Sequence, residues 1–295
     1  MTTTLLGTTA VRALVEAAGA APSLRNAQPW RFVFLRDSAT VRLYADRGRH
    51  LPQADAEERG LHLGCGAALF NLRVAAAAAG RDPVVRLLPD DCDGSLLAEV
   101  RLTDTGHRDE SLARLHPAVA RRSTSRRPIE DDELPAAVRG ALCDVALREG
   151  ARLVFPDALY VRLILQLVRD VEGGASPEAG VPSRERDFGT VPVLPGRSRA
   201  PFGDRPRIAL LGTVHNRPVD WLTAGQALEH VLLLSTQHGL VTSLAFHPFE
   251  WPGARWTEGD RSSAMEHVHM VLHPGHGPQG TPAPRRPVAE VLEIM

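Results

Sequence analysis

The chain has 295 residues, of which 43% are hydrophobic and 23% are charged, and its formal net charge is −1. This length can bury a large core, and the small net charge excludes a general attraction to nucleic acid or to anionic membranes. Three scattered cysteines and an N-terminus without a basic and apolar leader pattern exclude a disulfide-rich secreted domain, so we expect a cytoplasmic protein with no membrane partner.

Apolar periodicity in the first third of the chain predicts two helices and four strands. The expected helices span residues 11–20 and 55–80, and the expected strands span residues 30–35, 40–44, 84–88 and 96–102. Asp55 is the expected N-cap of the long helix, and Gly80 is its expected end. The apolar stripe of this helix, from Leu61 to Ala79, predicts a helix with one buried face.

The rest of the chain predicts a similar order of elements after a polar connection at residues 106–117. The expected helices span residues 131–149 and 221–238, with a further helix that begins at Asp157, and the expected strands include residues 151–155, 207–212 and 268–272. The repeated order of elements indicates two halves, residues 1–105 and 106–295.

Residues 173–206 contain six glycines and six prolines and have no apolar period. Structureless segments of this length are uncommon inside a compact domain, and they are usually functional lids or disordered insertions. We expect a lid over the functional site, with a surface insertion as the alternative.

A short, specific motif lies between the first expected helix and the first expected strand. Residues 22–30 read PSLRNAQPW, in which Ser23 and Asn26 present small polar groups on a turn. Gln28 is expected to hold the turn, and Trp30 is expected to lie in the core.

A cluster of arginines lies further along the chain. Residues 121–127 read RRSTSRR, so Arg122 and Arg126 flank the hydroxyls of Ser123 and Thr124. Guanidinium groups bind phosphate through a charge-assisted fork, and the cluster therefore predicts a phosphate-binding segment. The alternative is a solvated basic turn.

These two motifs resemble those of the flavin-dependent nitroreductase superfamily, and their presence on one chain resembles its Acg-like branch. Two further segments fit the resemblance: residues 239–246, GLVTSLAF, and residues 282–292, PAPRRPVAEVL. The resemblance covers residues 11–292 and implies a nitroreductase-like α+β fold. It also implies two pseudo-symmetric halves, with sheets surrounded by helices, that resemble a fused dimer.

The resemblance further implies the cofactor FMN, with NADPH or NADH as its reductant. The implied cofactor-binding residues are Ser23, Asn26, Gln28, Arg122, Ser123, Thr124, Arg126, Ser243, Leu244, Ala245, Arg285 and Arg286. The arginines and hydroxyls would bind the phosphate, the turn would face the ribityl chain and the ring, and residues 243–245 would line one face of the ring. Leu24 departs from the family pattern, which has a second small polar residue at this position. Removal of Arg122 or Arg285 is expected to weaken FMN binding and to leave the fold intact.

The implied activity is the reduction of nitro or quinone groups by a flavin that a nicotinamide cofactor has reduced, and it requires no catalytic protein acid or base. One alternative is a flavin-storing or flavin-sequestering protein with little turnover, because a lid can cover the ring. Another alternative is a basic interaction protein that binds no flavin. Since both half-sites lie on one chain, we expect one FMN per chain, in a monomer or in a dimer whose interface the site does not need.

Three histidines, His267, His269 and His273, alternate along the last expected strand. Alternation places them on one face of the strand, where metal ligands could lie. No carboxylate or cysteine stands at a suitable spacing, so we expect no metal site.

Overall fold

Two units follow each other along the chain, and the elements given below for the described residues have, in each unit, the order helix, strand, strand, helix, strand, strand. The computed structural model describes residues 6–90, 93–104, 109–125, 129–130, 133–156, 161, 208–245, 267–280 and 282–295. Arg126, the helix expected from Asp157 and the lid expected at residues 173–206 lie outside these ranges, apart from residue 161. The first unit contains α1 (Thr8–Gly19), β1 (Trp30–Leu35), β2 (Thr40–Ala45), α2 (Arg59–Ala78), β3 (Asp82–Leu87) and β4 (Leu96–Thr103).

The connection between the two units, expected from the sequence to be polar, contains two short helices in its described part. It contains α3 (Glu110–Ala113) and α4 (His116–Arg121). The Asp109 carboxylate accepts a hydrogen bond from the Leu112 N–H at 3.0 Å and so caps α3. Leu112 also belongs to a hydrophobic cluster that includes Phe70 of α2. Helices this short carry too few residues for an apolar period, so the sequence pattern did not reveal them.

The second unit repeats the element order of the first and is followed by a short C-terminal extension. It contains α5 (Ala136–Arg148), β5 (Arg152–Val154), β6 (Ala209–Thr213), α6 (Pro218–Gln237), β7 (Val241–Ala245) and β8 (His267–Gly275). The extension contains α7 (Val288–Val291) and β9 (Leu292–Ile294). The sequence did not predict β9, because three residues are too few for an alternating pattern.

The two sheets share one strand order. The first sheet has the order β3-β4-β2-β1-β9, and the described strands of the second sheet have the order β7-β8-β6-β5. Corresponding pairs are antiparallel in both sheets, and β9 is added to β1 in parallel. The register shifts at Leu43/Tyr44 in β2 and at Leu211/Gly212 in the corresponding strand, β6. The C-terminal extension therefore completes the sheet of the first unit.

The helices α2 and α6 pack against each other between the two units. His62 and Trp221 meet edge to face with ring centroids 5.4 Å apart. Gly66 and Gly225 lie directly opposite each other, and a Cβ atom on either one would overlap a carbonyl oxygen of the facing helix. His62 and Trp221 are separated by the same number of positions along the chain as Gly66 and Gly225. Such reciprocal contacts are those of a two-fold related interface.

The packing of α6 on α2 explains why α2 is buried on all sides. The sequence predicted a helix with one buried face, but nearly every residue from Arg59 to Ala77 is buried. The helix is long and apolar enough to cross a membrane. However, 89% of its most apolar stretch is buried inside the protein, as in the central helix of a globular core. Its N-terminus also differs from the prediction, because the helix begins at Arg59. Asp55 nevertheless accepts hydrogen bonds from the N–H groups of Gly60 and Leu61 at 2.7 and 2.8 Å.

The helix α5 also begins later than the expected start at Asp131. Pro135, at its N-cap, has the extended backbone angles φ −51° and ψ 138°. The helix can therefore begin only after this residue, at Ala136.

Candidate functional site

The turn between α1 and β1 adopts an unusual backbone conformation. Arg25, Asn26 and Gln28 have φ values of 48°, 53° and 52°, a region that few residues other than glycine adopt. The Ser23 hydroxyl accepts a hydrogen bond from the Gln28 N–H at 2.9 Å, and the Ser23 carbonyl accepts one from the Asn26 N–H at 3.0 Å. Because such a conformation costs free energy, surrounding contacts must hold the turn in place.

The C-terminal extension provides those contacts. The side-chain amides of Asn26 and Gln28 donate hydrogen bonds to the Pro284 carbonyl at 2.9 and 3.3 Å. In return, the Arg286 N–H donates to the Gln28 side-chain carbonyl at 2.8 Å. Gln28 therefore holds the turn against residues 284–286, which is the role that the sequence indicated for it.

Two guanidinium groups from distant parts of the chain meet beside this turn. Arg122 and Arg285 each donate a hydrogen bond from Nη2 to the carbonyl oxygen of Ala20, at 3.2 and 3.1 Å. Arg285 also donates from Nη1 to the Asn26 side-chain oxygen at 3.0 Å. Two cations that share one acceptor create a concentrated positive potential at the start of the turn, which is suited to an anionic group.

The segment that contains Arg122 runs alongside the edge of the second sheet. Thr124 forms a parallel bridge with Thr242 of β7, and the Ser125 N–H donates to the Thr242 carbonyl at 2.9 Å. The Thr124 hydroxyl accepts a hydrogen bond from Arg122 Nη1 at 3.3 Å. Gly280 packs on the Thr124 carbonyl, where a Cβ atom would lie 2.6 Å from that oxygen. The arginine cluster and β7, both expected at the site, are therefore in direct contact.

The three expected residues of β7 differ in what they can present. Ser243 is buried and lies opposite His273 of β8. The Leu244 side chain packs in the core with Met270 and Leu272, so only its backbone can face a ligand. The structure describes Ala245 by its backbone alone, as the last residue of β7.

Arg286 has different partners from those of Arg285. Its guanidinium contacts the Asp46 carboxylate at 3.2 Å and the Gln28 carbonyl at 3.3 Å, and it forms an ion pair with Glu290 at 3.5 Å. These contacts favour a role in holding the C-terminal extension against β1 and the turn. Of the basic pair at residues 285–286, Arg285 is the member that contacts Asn26 and the Ala20 carbonyl.

The strand histidines are in a setting that suits packing. Among the described residues, no three His, Cys, Asp or Glu side chains are grouped as metal ligands would be. The His269 ring contacts the Thr213 hydroxyl at 2.6 Å and is fully buried, whereas His267 is exposed. Burial, together with the positive charge of Arg59, lowers the pKa of His269 to about 3, so this ring is neutral near pH 7.

The structure adds one charged residue to the site that the sequence did not indicate. Glu229 lies in α6, is fully buried, and forms an ion pair with Arg122 at 3.7 Å. One sequence signal could have identified it: a single carboxylate in the middle of an apolar helix, with Leu228 and Val231 close by. The contributions of the Ala20 and Pro284 carbonyls have no such signal, because any residue carries a carbonyl group.

Comparison with known proteins identifies relatives along nearly the whole chain, although no protein-family model matches it. Acg of Mycobacterium tuberculosis, named as an NAD(P)H nitroreductase, is 28% identical, and the alignment covers 100% of this chain and 98% of Acg. Rv3131 of the same species carries the same family name and is 30% identical, with 96% of this chain and 91% of the relative covered. A nitroreductase structure from Anabaena variabilis superposes with a TM-score of 0.58 over 92% of this chain and 88% of its own, at 11% identity. The expected nitroreductase-like α+β fold is thus confirmed, and the chain belongs to the nitroreductase family, in the Acg-like branch.

Proposed function

We propose that this protein binds one FMN per chain and uses NADPH or NADH to reduce electrophiles such as nitro and quinone groups. The observation that carries the proposal is the meeting of Arg122 and Arg285 at the Ala20 carbonyl, next to Asn26. Family membership supports the same cofactor, since the resemblance implies FMN at these motifs. Arg122, Arg285 and Asn26 are all residues that the resemblance implies for cofactor binding, and they lie in three distant parts of the chain.

The described residues fit the chemical demands of FMN. A phosphate needs cations and hydroxyl donors, and the contacts of Arg122, Arg285 and Thr124 bring such groups close together. The Ser123 hydroxyl lies beside Gly280, which packs on Thr124. Gly280 leaves room at the Thr124 carbonyl, where a larger residue would displace the backbone. When bound, the flavin supplies hydride and electron transfer, while the residues of this chain bind it, orient it and exclude water. No protein acid or base is assigned a catalytic role.

We propose one cofactor per chain because only one of the two units carries the flavin turn. Residues 20–29 join α1 to β1, whereas residues 149–151 join the corresponding elements α5 and β5. The shorter connection has no room for a turn like that around Asn26. The single C-terminal extension likewise adds its strand to the first sheet alone among the described strands.

The two units are proposed to be the halves of an internally duplicated protein, residues 1–105 and 106–295. Three observations support a fused dimer: the repeated element order, the shared strand order, and the reciprocal contacts of α2 with α6. In this arrangement the first half supplies the turn and the second half supplies Arg122 and Arg285. A second chain is then not required to complete the site.

The proposal is tested by titrating the purified protein with FMN, FAD and riboflavin and by recording the absorption spectrum. We expect saturation near one FMN per chain and weaker binding of FAD, since the phosphate-binding groups end the pocket at one phosphate. Absence of FMN binding, or a stoichiometry near two, contradicts the proposal. Anaerobic mixing with NADPH, followed by a nitro or quinone acceptor, then separates an enzyme from a flavin-storing protein, in which the flavin would stay oxidised.

A further inference from the structure

The buried face of α6 contains one carboxylate that the flavin motifs do not explain. Glu229 is 0% exposed, and a charged group at such a position loses its hydration. Proteins keep buried charges where they are paired, and the partner here is Arg122, whose side chain is 4% exposed. The pair therefore joins α6 to the segment proposed to bind phosphate.

The two edges of the Arg122 guanidinium face different groups. Its Nε lies 3.7 Å from the Glu229 carboxylate, which is ion-pair distance and longer than a hydrogen bond. On the other side, Nη1 donates to the Thr124 hydroxyl at 3.3 Å and Nη2 donates to the Ala20 carbonyl at 3.2 Å. These contacts orient the planar group so that its Nη atoms face the Ala20 carbonyl, which Arg285 also contacts.

We propose that Glu229 is a positioning residue that fixes Arg122 for the flavin phosphate, an inference that rests on the proposed function. Charge alone would disfavour a carboxylate near a phosphate, because like charges repel. Its presence is explained if the orientation of Arg122 matters more than the added negative charge. The corresponding position on α2, with the spacing that relates Gly66 to Gly225, is the apolar Phe70, so the carboxylate belongs to only one of the two packed helices.

The test is Glu229→Gln, which keeps the size of the side chain and removes its charge. We expect the dissociation constant of FMN to rise about tenfold, the size of effect typical for one charge-assisted contact. Riboflavin lacks the phosphate, and its dissociation constant should therefore not change. The matched control is Glu149→Gln, since Glu149 is also a mostly buried carboxylate that contacts the same helix, but it is ion-paired with Arg73 and His230 rather than with Arg122. The control should leave both dissociation constants as in the parent.

Tighter or unchanged FMN binding by folded Glu229→Gln overturns the inference, because tighter binding is the result expected from charge alone. If this variant does not fold, Glu229→Asp keeps the charge and withdraws the carboxylate by one methylene. That variant should weaken FMN and spare riboflavin, and unchanged FMN binding by it also overturns the inference. Failure of the proposed function gives a different result, since the parent protein itself would then bind no FMN.

Discussion

At the scale of single residues, the two arginines that meet at Ala20 have unequal structural roles. Arg285 is partly exposed and contacts the turn, whereas Arg122 is buried against Glu229. The sequence led to the expectation that either arginine could be removed without harm to the fold. The buried ion pair changes that expectation for Arg122, because removal of one partner leaves a buried charge.

Arg285→Ala is expected to weaken FMN binding while the protein stays folded. The loss of a charge-assisted contact with phosphate costs about 1.5–3 kcal/mol. Titration with FMN and riboflavin measures the effect, which should be confined to FMN. The control is Arg31→Ala, which removes an arginine that is ion-paired with Glu293 at 3.5 Å on the sheet. An equal loss in the control would show a general effect of charge on binding.

Arg122→Ala is expected to reduce the free energy of unfolding by about 3–5 kcal/mol, the usual cost of breaking a buried ion pair. Urea unfolding measures this change. Addition of Glu229→Gln to Arg122→Ala should recover part of the loss, because the remaining carboxylate is neutralised. If the Arg122→Ala variant alone is as stable as the parent, the buried Glu229 carboxylate does not need Arg122 to stabilise its charge.

His269 predicts a pH dependence of stability. Its pKa is about 3 in the folded protein, against the ordinary histidine value of 6.5 that applies in the unfolded chain. Between these values only the unfolded state binds the proton, so stability falls as the pH drops below about 6.5, by about 1.4 kcal/mol per pH unit. His269→Gln should reduce the loss between pH 7 and pH 5 by about 2 kcal/mol in urea unfolding. The exposed His267, changed to Gln, is the control, and an equal effect there would contradict the assignment.

At the scale of elements, the glycine-marked ends of the two long helices were predicted correctly, whereas the starts of α2 and α5 were not. Gly80 and Gly239 have φ values of 75° and 74° and follow the ends of α2 and α6, as the sequence indicated. The contact between these two helices was not predictable. It depends on Gly66 and Gly225 meeting across a long sequence separation, and a glycine inside a helix has no sequence signal for its partner.

Gly225→Ala is expected to reduce the free energy of unfolding by about 1–3 kcal/mol, the usual cost of overpacking a core. The added Cβ would overlap the Leu63 carbonyl, which belongs to the backbone of α2 and cannot move easily. Gly140→Ala is the matched control, since nothing lies within 4 Å of its added Cβ in α5. That change should raise stability by about 0.5–1 kcal/mol through helix propensity. Thermal or urea unfolding measures both variants, and equal effects would contradict the helix contact.

At the scale of the whole molecule, the proposed site draws on the first unit and on the two segments that flank the second unit of the same chain. Asn26 comes from the first unit, Arg122 precedes the second, and Arg285 follows it. In the structure these residues meet without a partner chain. The flavin site is therefore expected to be independent of any dimer that the protein forms.

A mixing experiment tests this independence. Asn26→Gly removes the side chain and suits the φ of 53° at this position, and Arg285→Ala removes the other partner of the same contact. Each variant should bind FMN weakly by itself, and a mixture of the two should bind no better. Recovery of binding in the mixture would show a site that is shared between two chains.

The sequence by itself determined the family, most elements and the motifs of the candidate site. Short-range chemistry explains this success: apolar periods, glycine stops and a specific turn sequence are all properties of neighbouring residues. Only the tertiary structure decided which arginine meets the turn, which one forms an ion pair with Glu229, and that β9 completes the first sheet. These outcomes depend on contacts between residues far apart in the chain, where burial and the pairing of charges, rather than local propensity, select the partner.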